Sequence, residues 1–274
     1  MFPIRKKETA PPRTIGLITD FGLADPYVGQ MRAVLARKAP GSLVVDITHD
    51  VAPFNVAQAA FFLAASYEHF PADAVILAVV DPGVGTDRAI VGLDIDGRLL
   101  LAPDNGLLAL ALRNAWAARI RAFDLSVAMD APSRVSHTFH GRDVLSPLAA
   151  WLALGGNPAE LGHEIDPQAL VSLPWSHPDI RPGQARGHVL HIDRFGNCVL
   201  NLEAGSIGTP GGLRLSMPAG GELAYARTYR DMPEGGPGLL EGSQGFLELA
   251  VNQRSAAKRF GLSMGDTVEL TWEA

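Results

Sequence analysis

The first half of the chain alternates short unbroken apolar runs with segments of helical spacing. Residues 14–19 form an apolar run that ends in Asp20-Phe21-Gly22. Pro26 then opens a stretch in which Val28, Met31, Val34 and Leu35 fall at helical intervals, and Pro40-Gly41 stops it. Residues 43–48 (LVVDIT) read as a strand, residues 56–70 as a helix, and residues 74–80 (AVILAVV) as a strand apolar on both faces, the pattern of a covered parallel sheet. Two further strands, 89–95 and 99–102, flank an Asp96-Gly97 turn and predict a hairpin. A short helix at 106–112, a strand at 120–125 and a helix at 144–154 follow, the last stopped by Gly155-Gly156. The alternation predicts an α/β layered domain with a largely parallel sheet over residues 14–180.

From Pro174 the pattern changes. PWSHPDIRPGQARG reads as a linker, and beyond it the apolar segments are short and alternating: HVLHI, CVLNL, LRLSM, FLELAV and TVELTW. These predict a smaller all-β, barrel-like domain over residues 186–274.

Composition narrows the classes. At 274 residues the chain suits one large domain or two smaller ones, at roughly 150 residues per domain. Apolar residues make up 47% and charged residues 19%, enough for a core and too apolar for global disorder. The net charge of −6 leaves no basic footprint for nucleic acid. A single cysteine, Cys198, excludes an internal disulfide and suits a reducing, cytoplasmic compartment. No apolar run is long enough to span a membrane, and residues 1–13, basic and without an apolar stretch, are expected to be a leader and not a signal peptide.

Three polar loops follow apolar runs: Asp20-Phe21-Gly22, Asp81-Pro82-Gly83-Val84-Gly85 and Asp104-Asn105-Gly106. Ligands of open α/β sheets sit where such loops converge, so together they mark a site. Asp20 can accept from two vicinal hydroxyls, or it can cap the helix near Pro26, a position Asp25 suits better. The DPGVG loop offers backbone N–H groups but lacks the Gly-Lys-Ser/Thr ending of a phosphate loop. In His137-Thr138-Phe139-His140-Gly141-Arg142-Asp143, Asp143 can cap the next helix. The two histidines, with His49 and the aspartates, leave a metal site open. Asp193-Arg194-Phe195-Gly196-Asn197 is either a ligand loop or a hairpin turn, and Glu248 in FLELAV needs a partner, which a ligand amine or solvent can supply.

These motifs, taken in order, resemble the S-adenosylmethionine (SAM) hydroxide adenosyltransferases, relatives of the fluorinases and chlorinases. The carriers are TDFGLADPYVGQM, VVDITHDVAPFNVAQAA, VVDPGVGTDR, APDNGLL, HTFHGRD, IDRFGN and GSQGFLELAVN, spread over nearly the whole chain. The resemblance implies an α/β N-terminal domain, a β-barrel-like C-terminal domain, and a homotrimer with active sites between the N-domain of one subunit and the C-domain of the next. It implies hydrolysis of SAM to adenosine and methionine by water attacking the ribose C5′, with no cofactor and no metal.

The resemblance also assigns residues. Asp81, Arg88 and His140 match the side chains that handle the attacking water. Asp20 falls on the ribose hydroxyls and Phe54 against the sugar, where the halogenases have a Trp. Asp193 and Ser243 match positions that hold the methionine amine and carboxylate, Asn197 and Tyr229 match adenine contacts, and Phe195 belongs to the same loop. Glu248 and the Val251 backbone are further adenine acceptors. Gly141, where a halogenase carries a hydroxyl residue, favours the hydrolase. The alternatives are a SAM-dependent halogenase, a metal-dependent hydrolase using His49, Asp50, Asp81 and His140, and a non-catalytic binder of SAM or adenosine.

Overall fold

A computed structural model describes residues 11–115, 118–127 and 135–273. The greater part of the expected leader, residues 1–10, lies outside them. The chain divides into two compact units, residues 1–172 and 173–274.

The first unit is built on a seven-stranded mixed sheet. Its strands are β1 (Ile15–Thr19), β2 (Val44–Thr48), β3 (Val75–Val79), β4 (Ile90–Ile95), β5 (Arg98–Pro103), β6 (Ile120–Asp124) and β7 (His163–Ile165), in the order β2-β1-β3-β5-β4-β6-β7. The β2-β1-β3-β5 half is parallel. The β5-β4-β6-β7 half is antiparallel, because the β4–β5 hairpin turns back within the sheet. That turn is the predicted Asp96-Gly97, with both residues at positive φ (51° and 96°). β1 and β3 are buried at every position, which accounts for their unbroken apolar sequence.

The helices follow the predicted periodicity. α1 (Tyr27–Lys38) buries Val28, Met31 and Leu35. α2 (Val56–Ala64) is capped by the Asn55 side chain, which accepts from the Gln58 N–H. It is shorter than expected, since residues 67–69 tighten into a separate 3₁₀ turn. After α3 (Ala109–Asn114), the chain enters a single π-helical turn, Gly141–Leu145, that runs into α4 (Ser146–Ala153). α1 and α4 pack on one face of the sheet around Leu17, Met31, Leu77, Val144 and Leu148.

The second unit is all β apart from short turns and one small helix, Ala256–Phe260. The segment expected to be a linker instead carries a 3₁₀ turn, Pro174–Ser176, and β8 (Asp179–Arg181), which pairs with the start of β9 (Gln184–Ile192) through a turn at Gly183. β10 (Cys198–Glu203), β11 (Gly211–Met217), β12 (Gly221–Glu222), β13 (Ala224–Ala226), β14 (Pro237–Glu241), β15 (Phe246–Val251) and β16 (Thr267–Glu273) complete a nine-stranded sheet. The path runs β12-β11-β16-β9-β10-β15-β14-β13. Side chains from β9, β10, β11, β14, β15 and β16 meet in one apolar cluster that includes Val189, Leu200, Leu215, Leu239, Leu249 and Leu270. Cys198 sits in this core, and burial raises its thiol pKa to about 12, so it is no nucleophile.

Candidate active site

In the first unit the loops after β1 and β3 and the turn before α4 meet at one recess of about 290 Å³. Asp20, Phe54, Asp81, Thr138 and His140 line it, and Phe21, Tyr27 and Phe139 add apolar surface. Phe139 meets Phe21 and Tyr27 edge on, and Phe21 and Tyr27 are tilted at 55°, with centroids 5.3–5.7 Å apart. Sequence motifs alone did not single out Tyr27 as lining the site; its position one helical turn before Met31 is the available signal.

Behind Asp81 and His140 lies Arg88, bonded to both. Its Nε donates to Asp81 Oδ1 at 2.7 Å, and its Nη2 donates to Asp81 Oδ2 and lies 3.1 Å from His140 Nδ1. A guanidinium has no acceptor, so Nδ1 accepts, and the neutral imidazole carries its proton on Nε2. Arg88 Nη1 is buried and has no hydrogen-bond partner among the described residues, an N–H donor still unspent. Burial, and next the Arg88 charge, lower the His140 pKa, which keeps the ring neutral.

Two features fix this cluster. A Cβ on Gly85, whose φ is +83°, lies 2.8 Å from the His137 carbonyl, so only glycine lets the DPGVG loop approach the His137–His140 turn this closely. Asp143 does not cap α4 as expected. It lies inside the π turn, takes a bidentate bond from Arg142 (2.7 and 2.8 Å) and accepts from the Ser136 N–H, closing the turn around His140. Arg142 also reaches Gln30 on α1 and lies over the Phe139 ring.

Asp20 receives the Phe54 N–H on Oδ2 at 2.9 Å. Phe54 adopts a left-handed backbone (φ 66°) and leaves its ring 72% exposed. Burial raises the Asp20 pKa above the ordinary carboxylate value, with the Phe54 bond opposing and Asp81 adding to the rise. Neither Asp20 nor Asp25 caps α1, whose N-cap is Pro26 with no side-chain bond. Asp104 is turned elsewhere, accepting from the Val171 N–H, while Asn105 donates to the Val80 carbonyl just before Asp81. His49 does not join Asp81 and His140. Its ring faces Thr19 and Asp46, and among the described residues no three His, Cys, Asp or Glu side chains converge as a metal site.

The C-terminal candidates form a second group within their own unit. Asp193 Oδ1 accepts the Phe195 and Asn197 N–H groups, Asn197 Nδ2 donates to Asp193 Oδ2 and Tyr229 Oη, and Tyr229 Oη donates to Glu248. Glu248 therefore has a protein partner, and burial raises its pKa. The Asp193–Asn197 segment is the β9–β10 hairpin turn, with Gly196 at φ +86°, and it projects Phe195 outward, 79% exposed. Ser243 lies exposed in the β14–β15 turn. The Val251 carbonyl accepts the Arg254 N–H.

Comparisons with known proteins give the family of the chain. Residues 15–162 match the SAM hydroxide adenosyltransferase N-terminal domain, and residues 187–269 match the C-terminal domain of the same family. A protein of Thermus thermophilus named (R)-S-adenosyl-L-methionine hydrolase is 40% identical, over 94% of this chain and 99% of its own length. A fluorinase from an Actinoplanes species is 26% identical, over 94% and 97%. The crystal structure of an uncharacterized conserved protein from Thermotoga maritima superposes with a TM-score of 0.81 at 30% identity, covering 94% of this chain and all of that one. With both domain models matched in order and a relative of this identity aligned nearly end to end, the chain belongs to the SAM hydroxide adenosyltransferase family.

Proposed function

We propose that this chain hydrolyses SAM to adenosine and methionine, with Asp81, Arg88 and His140 handling the attacking water. The observation that carries the reading is the Arg88 fork: one buried guanidinium holds a carboxylate and a neutral imidazole side by side in the lining of a recess that Asp20 also lines.

The chemistry needs little else. The sulfonium is already a good leaving group, so no acid has to protonate methionine. The oxygen of water bonds to C5′, the C5′–S bond breaks, and its electron pair neutralises sulfur. The difficulty is the weak, freely tumbling nucleophile, and holding water in line contributes up to roughly 7–11 kcal/mol in the best intramolecular cases. Because His140 Nδ1 accepts from Arg88, its Nε2–H is a donor and orients the water oxygen. Asp81, each of whose oxygens keeps a lone pair beyond the Arg88 bonds, takes the proton. The guanidinium, always cationic, favours hydroxide character in the attacking oxygen.

Asp20 takes the ribose hydroxyls and Phe54 covers the sugar. Asp193 and Ser243 receive the amino-acid end, while Asn197, Tyr229, Glu248 and the Val251 backbone receive adenine, with Phe195 alongside. The exposed Phe54 and Phe195 rings are apolar surface suited to being covered. They support the homotrimer that the family resemblance implies, in which the two groups complete one site across a subunit boundary. The main apolar cluster fed by six strands, with no covering layer of helices among the described residues, supports a barrel-like closure of the second unit. The relatives' name specifies the (R) sulfonium epimer, and the same epimer is the proposed substrate here. A buried, unreactive cysteine suits a cytoplasmic setting.

The direct test is incubation with SAM epimeric at sulfur, followed by chromatography. Adenosine and methionine in equal amounts, with the (S) form left over, is the expected result. Tight binding without turnover would make the protein a binder, and activity abolished by chelation and restored by a divalent cation would return the metal-dependent reading.

A further inference from the structure

The ITHD segment at the end of β2 carries a buried histidine that the hydrolysis leaves without a task. His49 is 5% exposed and Thr19, on the neighbouring β1, is fully buried. Their side chains meet, Thr19 Oγ1 to His49 Nδ1, at 2.8 Å. Thr19 Oγ1 also accepts the Phe21 N–H at 3.3 Å, and the His49 carbonyl accepts the Gly22 N–H at 2.8 Å. One residue thus ties both shoulders of the Thr19–Gly22 turn, and the residue inside that turn is Asp20.

The direction of these bonds follows from the next neighbour. Asp46 Oδ1 lies 3.2 Å from His49 Nε2, close but outside hydrogen-bonding direction, and Asp46 Oδ2 is held by Arg32 at 3.1 Å. A carboxylate beside Nε2 favours the proton on that nitrogen. Nδ1 is then the acceptor, and the Thr19 hydroxyl donates to it while receiving Phe21 N–H. A hydroxyl satisfied on both sides has one orientation, and the turn it closes inherits it.

We infer that His49 and Thr19 are positioning residues for Asp20: they fix the turn so that the carboxylate, anchored through Oδ2 by the Phe54 N–H, presents its remaining oxygen surface to the ribose diol. The inference rests on the reading of Asp20 as the ribose ligand. Neither residue lines the recess, so both act through Asp20.

Thr19→Val keeps the shape and removes the hydroxyl. Calorimetric titration with adenosine is expected to show affinity about tenfold weaker than wild type, the size of one lost hydrogen bond, with kcat at saturating SAM changed far less than KM. Thr19→Ser, which restores the hydroxyl, should recover most of the affinity. In an Asp20→Ala background, Thr19→Val should cost nothing further, because the residue it positions is gone. Equal losses in both backgrounds, or no rescue by serine, would make the pair a structural contact only and overturn the inference. Should Thr19→Val not fold, His49→Leu breaks the same link from the other side and is read in the same cycle. Wild-type protein that binds no adenosine would overturn the ribose reading itself, and this inference with it, whereas wild-type binding that Thr19→Val leaves intact would overturn the inference alone.

Discussion

Arg88 and Asp81 meet fork to fork with only 8% and 6% of their side chains exposed. Away from water such a pair is held together strongly, and breaking it by removing one partner strands a charge, at a cost of about 3–5 kcal/mol. Arg88→Ala should therefore lower both stability, read by urea unfolding, and turnover. If Arg88 serves the attacking water and not the nucleoside, as proposed, kcat and kcat/KM should fall together by about 10²-fold or more. A variant with full kcat and a raised KM would make Arg88 a substrate anchor instead.

Asp20 is predicted to control affinity. Asp20→Ala should weaken adenosine and SAM alike, by roughly 1.5–3 kcal/mol for a lost charge-assisted contact. The pH dependence has a definite sign. Burial raises the Asp20 pKa, and ribose hydroxyls donate to the ionised form, so adenosine affinity should fall on acidification, beginning above the ordinary carboxylate range of about 3.9. Asp20→Asn should bind weakly with no such dependence. A wild-type affinity that is flat with pH, or rises on acidification, would count against this placement.

His140 gives a separate acid limb. Burial and the Arg88 charge lower its pKa, so the ring should stay neutral until pH drops below the usual value of about 6.5. Protonation places an N–H on Nδ1 facing the Arg88 N–H and breaks the cluster, so kcat should decline only below that pH. His140→Asn, which can accept from Arg88 without titrating, should lose the limb in kcat. An unchanged limb in that variant would assign it to another group.

Much of this was legible because it is local. The apolar runs at β1 and β3, the Asp96-Gly97 turn and the helical spacing of Val28, Met31 and Leu35 each state their own structure. The antiparallel half of the first sheet was not, because whether the β4–β5 hairpin turns back inside a sheet or at its edge depends on distant partners. β8 was hidden by prolines at 178 and 182 that flank the strand without interrupting it. At the site, the motifs supplied Asp81, Arg88 and His140, but only the fold shows that Arg88 binds both and thereby makes His140 a donor. The Thr19–His49 link likewise needs β1 beside β2, and the left-handed Phe54 has no glycine to announce it.

Subunit mixing tests the two-group site. If the Asp81 group of one chain and the Asn197 group of another form one pocket, Asp81→Ala and Asn197→Ala damage different halves. Co-refolding the two inactive proteins should restore part of the activity, since some pockets in mixed assemblies draw an intact half from each. Absence of rescue, with mixing verified by mass spectrometry, would place both halves within one chain.

The nucleophile itself can be traced. Asp81, Arg88 and His140 make a polar corner suited to water, whereas a halide needs a small dry pocket with donors that have no better acceptor. The position where a halogenase-like hydroxyl is expected is tight here. A Cβ on Gly141 lies 3.3 Å from Val79 Cγ1 and 3.4 Å from Met31 Sδ, so a serine at this point fits once the Val79 side chain gives by a few tenths of an ångström. Turnover in oxygen-18 water should therefore label adenosine at the 5′ oxygen and leave methionine unlabelled, because the C5′–S bond breaks and no new bond forms to the amino acid. Chloride or fluoride should yield no 5′-halo nucleoside, and Gly141→Ser alone should not create one, since the Asp81, Arg88 and His140 corner is unchanged. A halogenated product formed by the wild-type protein at a rate comparable with adenosine would reverse the choice of branch and move attention from the Asp81 corner to the N–H groups around Gly141.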